Sequence, residues 1–238
     1  QFDHFYLRRN ALHEIAVAAD LCVRRSAINL PHAPCNVADL HALFDDAGSE
    51  SVAQQTRAVQ QVLGRRLFVL TGGPGTGKTS TVLRMLLALT REHHALHARL
   101  PIIRLAAPTG KAARRLGDAL REGAKTLQGR EAFRDSTWPQ WLEPALQAEA
   151  MTVHRLLGSR GQQRGFTHHA GNPVGADVVL IDEASMLDLP LLRALLDALP
   201  ETAVLVFVGD AEQLPPVGTG SVFLDLVTAL EASAAGDV

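Results

Sequence analysis

Residues 72–79 read Gly72-Gly73-Pro74-Gly75-Thr76-Gly77-Lys78-Thr79: two glycines five positions apart, then a lysine and a hydroxyl. Each residue type has a chemical reason to be there. Glycines let the backbone turn its N–H groups inward around phosphate oxygens. A helix opening directly after the loop adds unpaired donors and the positive end of its dipole. Lys78 can reach the β and γ phosphates of a nucleoside triphosphate. The Thr79 hydroxyl can ligate Mg²⁺, a hard cation that prefers oxygen. Gly73, Pro74, Gly75, Thr76, Gly77, Lys78, Thr79 and Ser80 are therefore the candidate nucleotide-binding residues. A glycine-rich loop can also be an ordinary turn. Here it follows an apolar run and opens a helical stretch, the context that a phosphate cradle requires.

A second chemical signal is the apolar run 178–181 ending in Asp182 and Glu183. At the C-terminal end of a buried strand, Asp182 can hold Mg²⁺ through water and Glu183 can polarise an attacking water. An Asp-Glu pair alone is commonly a solvated strand end. Downstream of a phosphate loop it points instead to hydrolysis of Mg-bound nucleotide. Neither motif says what the released energy drives.

These groups need strands to carry them. Apolar runs at 67–70, 102–107, 178–181 and 203–208 read as buried strands. Helical stretches at 52–63, 79–90 and 190–199, the last with Asp188 near its start, and another from Ser221, alternate with them. This rhythm predicts an α/β fold of the P-loop NTPase, RecA-like kind, a parallel sheet covered by helices on both faces. Ahead of it, residues 1–50 form a mainly helical segment or linker, with 51–238 as the motor domain. Leu12, Ile15, Ala19 and Cys22 or Val23 give the first helix its apolar stripe. A second helix over 37–44 takes Asn36 as its N-cap, and 45–51 is a linker or turn. Residues 123–150 fit the rhythm poorly and read as an insertion. Their tryptophans, Trp138 and Trp141, serve local packing or base stacking.

Composition narrows the classes. With 47% hydrophobic and 20% charged residues the chain can bury a core, and its net charge of −2 excludes a globally basic nucleic-acid binder. Cys22 and Cys35 have no metal-site or CxxC spacing and read as reduced thiols of a cytoplasmic protein. No apolar run is long enough to cross a membrane. The paired histidines (His93 with His97, His168 with His169) lack acidic or cysteine partners at zinc spacing and read as solvated faces. The basic pairs Arg8-Arg9, Arg24-Arg25 and Arg114-Arg115 read as mostly solvent-facing, with Arg114 and Arg115 close to a candidate nucleic-acid contact at 108–111. The chain begins at Gln1, as a piece of a longer protein does.

Five segments together resemble the RecD family of superfamily 1 helicases, the alpha subunits of bacterial exodeoxyribonuclease V. They are 70–81 (LTGGPGTGKTST), 105–116 (LAAPTGKAARRL), 152–158 (TVHRLLG), 179–189 (VLIDEASMLDL) and 208–220 (VGDAEQLPPVGTG). The stretch 168–173 (HHAGNP) is closer to RecD than to its stand-alone relatives. The resemblance covers roughly 55–226, with 5–14 matching loosely. It implies that Gln55 reads adenine, with Gln54 as the competing neighbour, and that Gln213 senses the γ phosphate. It also implies that Pro108, Thr109, Gly110 and Lys111 contact a DNA backbone, as do Thr152 and His154. Two other readings stand beside these: an ordinary strand-to-helix turn at 108–111, and a helix N-cap at Thr152.

The same resemblance implies the parent's activity: an ATP-dependent 5′–3′ DNA helicase that binds single-stranded DNA and Mg-ATP. It would work with RecB- and RecC-like subunits in repair of double-strand breaks by recombination, in the bacterial cytoplasm. The family places ATP between two motor domains, and only the first is recognisable in these residues. Tested alone, they are expected to bind nucleotide, to hydrolyse it on the order of 10³-fold more slowly, as when an arginine finger is withheld, and not to unwind DNA. Two alternatives are a stand-alone RecD-like helicase and a nucleotide-gated assembly module whose N-terminal helices dock a partner.

Overall fold

The computed structural model describes residues 8–27, 30–31, 37–44, 49–73, 75–159, 165–213 and 222–234. Five strands, β1 (Leu67–Thr71), β2 (Ile103–Ala107), β3 (Ala150–Thr152), β4 (Val178–Ile181) and β5 (Val204–Gly209), form one sheet in the order β1-β5-β4-β2-β3. Every pairing is parallel. Helices α1 (Arg8–Ser26), α2 (Val37–His41), α3 (Glu50–Val62), α4 (Lys78–His97), α5 (Gly110–Gln128), α6 (Glu131–Arg134), α7 (Pro139–Leu146), α8 (Val153–Leu156), α9 (Leu189–Ala198) and α10 (Val222–Ala234) surround it. A 3-10 turn, Ala184–Met186, follows β4.

Strand alternation sorts the apolar residues into two cores. Val178 and Leu180 of β4, with Val206 and Val208 of β5, face a core built with α2, α3, α4, α5 and α7. Val179 and Ile181, with Leu205 and Phe207, face the other, built with α1, α8, α9 and α10. Strands buried on both sides explain the continuous apolar runs. The result is a RecA-like α/β P-loop fold, with every strand's carboxyl end on one edge.

Local signals set the helix ends. Ser49 caps α3 by accepting from Val52 N at 3.2 Å, and Asp188 caps α9 by accepting from Leu191 N at 2.8 Å, with Pro190 in the first turn. The helix expected at 79–90 runs on to His97, because α4 is buried on nearly all sides through Thr90. The Asn36 cap and positions 45–48 of the expected linker lie outside the described residues.

Three expectations need correction. The stripe Leu12, Ile15, Ala19, Val23 is the outer face of α1: Ile15 is 68% exposed, whereas Val17 is 3% exposed. The inward face is Val17, Leu21 and Arg24. Arg24 is not solvent-facing but 2% exposed, ion-paired to Asp20 at 2.6 Å. Residues 123–150 are not an excursion from the fold. Their first part completes α5, then α6 and α7 close the core over α4, and the segment ends by entering β3. Trp138 is fully buried there, donating Nε1–H to Asp39 O at 2.6 Å with Arg91 over its ring, so packing is its role. The Trp141 ring lies tilted against that of His94, centroids 5.1 Å apart.

No helix among the described residues is long and apolar enough to cross a membrane.

Candidate functional site

The edge formed by the strands' carboxyl ends gathers the chemistry. β1 ends at Thr71, the chain loops through the glycines, and α4 starts at Lys78. Gly75 and Gly77 have φ of +77° and +80°, a region costly for any side chain. A Cβ at Gly77 would also lie 2.6 Å from Gln55 Nε2. Side chains brace the loop from within. Thr76 Oγ1 donates to Gly73 O at 2.9 Å, Ser80 Oγ to Gly77 O at 2.8 Å, and Thr81 Oγ1 to Gly77 O at 3.0 Å. Lys78 Nζ donates to Gly72 O and, at 2.8 Å, to Gly73 O. Its ammonium is thus held at the mouth of the loop by two carbonyls that an incoming anion can replace. Thr79 is half-buried in the first turn of α4. Pro74 lies outside the described residues.

Gln55 on α3 reaches this loop, its Nε2 donating to Thr76 O at 3.5 Å and to Ser51 Oγ at 3.4 Å. Both contacts are long, so the amide is free to exchange them for a ligand. Gln54 is exposed.

β4 delivers the acids. Asp182 N donates to Ala106 O at 2.9 Å, which fixes the strand end against β2. Burial pushes the Asp182 carboxyl above the usual range, and the neighbouring Glu183 charge adds to this. The Glu183 backbone N–H, Arg115 and Lys78 act the other way. Glu183 occupies the left-handed region at φ +52°, strain that a non-glycine residue accepts only when its surroundings hold it there. Its Oε1 lies 4.0 Å from Arg115 Nη1.

β5 brings a residue that the sequence reading overlooked. Asp210, buried just past the strand, accepts from Glu212 N at 3.0 Å and from Gln213 Nε2 at 3.4 Å. Gln213 N closes the turn on Asp210 O at 3.3 Å. Asp210 therefore organises the turn that presents Gln213. An acid immediately past a buried strand, with a side chain able to bond the backbone two residues on, was the available signal. Arg115 is solvent-exposed, as expected of a basic pair near 108–111, and its approach to Glu183 was the other omission. Nothing in its local sequence indicated Glu183.

The second group of residues sits on the same edge, past β2 and β3. Thr109 caps α5 by accepting from Ala112 N at 3.2 Å, leaving Gly110 and Lys111 exposed at its first turn. Pro108 follows β2 directly. The register Ala107↔Thr152 sets Thr152 beside it. Thr152 caps α8 by accepting from Arg155 N at 3.1 Å, so the plain N-cap reading describes its hydroxyl. His154 is exposed, its ring 6.0 Å from that of Phe166.

His93 is not on a solvated face. It is 13% exposed and lines a cavity of about 590 Å³ at the amino end of the sheet, 3.9 Å from Asp177. Burial lowers its pKa, with Asp177 opposing. No group of three metal-capable side chains exists among the described residues. His168 and His169 belong to a turn pinned by reciprocal His169–Asn172 backbone bonds. Cys22 is a free, exposed thiol, and Cys35 lies outside the described residues.

With this geometry in hand, the likeness to known proteins is specific. The family model described as "AAA domain" matches residues 55–219. The RecBCD enzyme subunit RecD of Mycobacterium tuberculosis (strain CDC 1551 / Oshkosh) is 38% identical over 222 residues, which is 93% of this chain and 35% of that protein. RecD of Mycolicibacterium smegmatis is 41% identical over 230 residues, 96% of this chain and 38% of that protein. The ATP-dependent RecD2 DNA helicase of Deinococcus radiodurans is 39% identical over 176 residues, 74% of this chain and 20% of that protein. The chain thus spans about a third of the length of the RecD relatives it matches. It belongs to the AAA domain family, and over that third its sequence is similar to the RecD relatives.

Proposed function

We propose that this chain is the ATP-binding motor domain of a RecD-like, ATP-dependent DNA helicase acting in recombinational repair. One observation carries the reading. The three adjacent strands β1, β5 and β4 end in the phosphate loop, the Asp210–Gln213 turn and Asp182–Glu183, while the next two, β2 and β3, end in Thr109 and Thr152. This order supports a candidate nucleotide site and a candidate strand-binding site sharing one edge of the sheet.

The roles follow from position. Backbone amides of residues 73–77, with Lys78, hold the β and γ phosphates, and Ser80 braces the loop. Thr79 and Asp182 hold Mg²⁺. Two acids at a buried strand end, one with its carboxyl pushed up by that burial, suit a hard cation. When bound, Mg²⁺ neutralises phosphate charge and orients it for in-line displacement. Glu183 takes the proton of the attacking water. The water oxygen bonds to the γ phosphorus as the bond to the bridging oxygen breaks, and ADP leaves with the electron pair. Gln213 reads the γ phosphate, and Gln55 pairs with the adenine edge. Pro108–Lys111 and Thr152–His154 bear on the backbone of single-stranded DNA, without reading sequence. Translocation 5′ to 3′ is carried over from the resemblance.

The decisive experiment is ATP turnover by the full-length protein with and without single-stranded DNA, beside its Lys78→Gln form. Stimulation that disappears in the variant supports the motor. Tight nucleotide binding without any DNA response favours the assembly module instead.

The outer stripe of α1 bears on partners. Leu12, Ile15 and Val23 are large apolar side chains left exposed on a helix anchored to the motor by Arg24. This favours docking of a RecB- or RecC-like subunit there. Co-purification with such subunits that survives Leu12→Glu with Ile15→Glu would count against it.

A further inference from the structure

One helix joins the catalytic glutamate to the loop assigned to DNA. Lys111 and Arg115 are four residues apart on α5 and so share a face, about one turn or ~6 Å apart along the axis. Lys111 stands in the exposed first turn, beside the Thr109 cap. Arg115 Nη1 lies 4.0 Å from Glu183 Oε1. Its side chain is 82% exposed, so this is a loose, single contact that another partner can take over. The Asp182 N to Ala106 O bond continues the β2–β4 pairing and ties β4 to the strand that leads into the loop.

We propose that Arg115 is a positioning residue that gates Glu183: without DNA its guanidinium engages the carboxylate oxygen that must accept the proton of water, and a phosphodiester at the start of α5 draws it off. The idea rests on the motor reading above and adds how the two sites communicate. A carboxylate oxygen engaged by a guanidinium is poorly placed to accept a hydrogen bond from the attacking water. Phosphate offers arginine two parallel short hydrogen bonds, a stronger engagement than one contact at 4.0 Å. A backbone phosphate held by Thr109 and Lys111 lies within a turn of Arg115 and wins the competition. Glu183, in its strained left-handed conformation, is then released toward the water.

The test is steady-state ATP turnover by the full-length protein, with and without oligo-dT, for wild type, Arg115→Gln, Arg115→Lys and, as a control, Arg114→Gln, an exposed neighbour on the same helix. Arg115→Gln is expected to raise kcat without DNA by about two- to five-fold, the usual scale of an exposed ion pair, with KM for ATP unchanged. The ratio of DNA-stimulated to basal turnover falls accordingly. Arg115→Lys retains part of the restraint, and Arg114→Gln leaves basal kcat alone. Unchanged basal kcat in Arg115→Gln overturns the gate, and weaker DNA binding beside it would make Arg115 a phosphate contact only. If wild-type turnover ignores DNA altogether, the motor reading fails and the gate fails with it.

Discussion

The guanidinium of Arg24 on α1 caps the C-terminal end of α9, donating to Leu199 O at 3.3 Å, to Pro200 O at 3.1 Å and, beyond the turn, to Ala203 O at 3.3 Å. Helix ends leave such carbonyls without intrahelical partners, and here a residue some 175 positions away supplies the donors. Arg24→Met would remove the arginine's bonds to Leu199 O and Ala203 O and its ion pair with Asp20, while Pro200 O keeps the Ala203 N–H. A loss of about 2–3 kcal/mol is expected, the scale of charged hydrogen bonds left unmade. Urea denaturation of the 238-residue chain measures it. A shift under about 0.5 kcal/mol, typical of surface substitutions, would mean that water replaces the arginine.

Gly77 combines two constraints, a φ of +80° and a Cβ position 2.6 Å from Gln55 Nε2. Gly77→Ala should therefore cost about 1–2 kcal/mol in backbone strain and displace Gln55 from the loop. Affinity for a fluorescent ATP analogue should drop more than tenfold, more than the stability loss alone accounts for. Gly73→Ala, with open space around its Cβ, is the comparison that separates local strain from general loop sensitivity. Equal affinity losses in both variants would contradict this.

Asp182 carries a folded-state pKa above its ordinary 3.8, chiefly through burial. Its charge therefore weakens the fold: the penalty is absent below pH 3.8, grows as pH rises above it, and is complete once pH has risen through the raised folded value. Asp182→Asn should stabilise the chain at neutral pH by on the order of 1 kcal/mol, as relief at functional sites commonly does, while abolishing turnover. Adding Mg²⁺ with ATP should raise the melting temperature of wild type more than that of Asp182→Asn. Asp177 behaves oppositely. Its hydrogen bonds to Arg99, at 2.7 Å each, lower its pKa, so its contribution holds at neutral pH and fades as pH falls through that lowered value. Thermal melts across pH 3–7 resolve the two signs.

The parts of the molecule legible in sequence are those whose determinants are local. Val178–Ile181 reads as a strand because a strand buried on both faces must be apolar throughout, and the Lys78 loop reads as a phosphate cradle because its geometry is set within eight residues. The face of α1 was misread because apolar residues occur on both sides of it, and what decides is Arg24 matching the end of α9. β3 escaped notice because three residues, Ala150–Thr152, carry no period of their own and exist as a strand only through pairing with β2. Asp210 and Arg115 acquire meaning from partners across the site, which spacing along the chain does not encode.

Lys111 and Thr152 allow the DNA edge to be separated from helix capping. Lys111 is exposed and caps nothing, so Lys111→Ala should leave stability within about 0.5 kcal/mol of wild type. If its ammonium neutralises a phosphate, the variant weakens single-strand binding alike on all sequences and flattens the slope of log K against log salt by about 0.7. Thr152 accepts from Arg155 N, so Thr152→Val should cost about 1 kcal/mol of stability whatever its part in binding. Thr152→Ser keeps the cap, and a binding defect in Thr152→Val that Thr152→Ser restores at equal stability would mark the hydroxyl as a backbone contact. Fluorescence anisotropy with labelled oligo-dT from 50 to about 300 mM NaCl makes both measurements. A Lys111→Ala slope identical to wild type would remove the start of α5 from the DNA path.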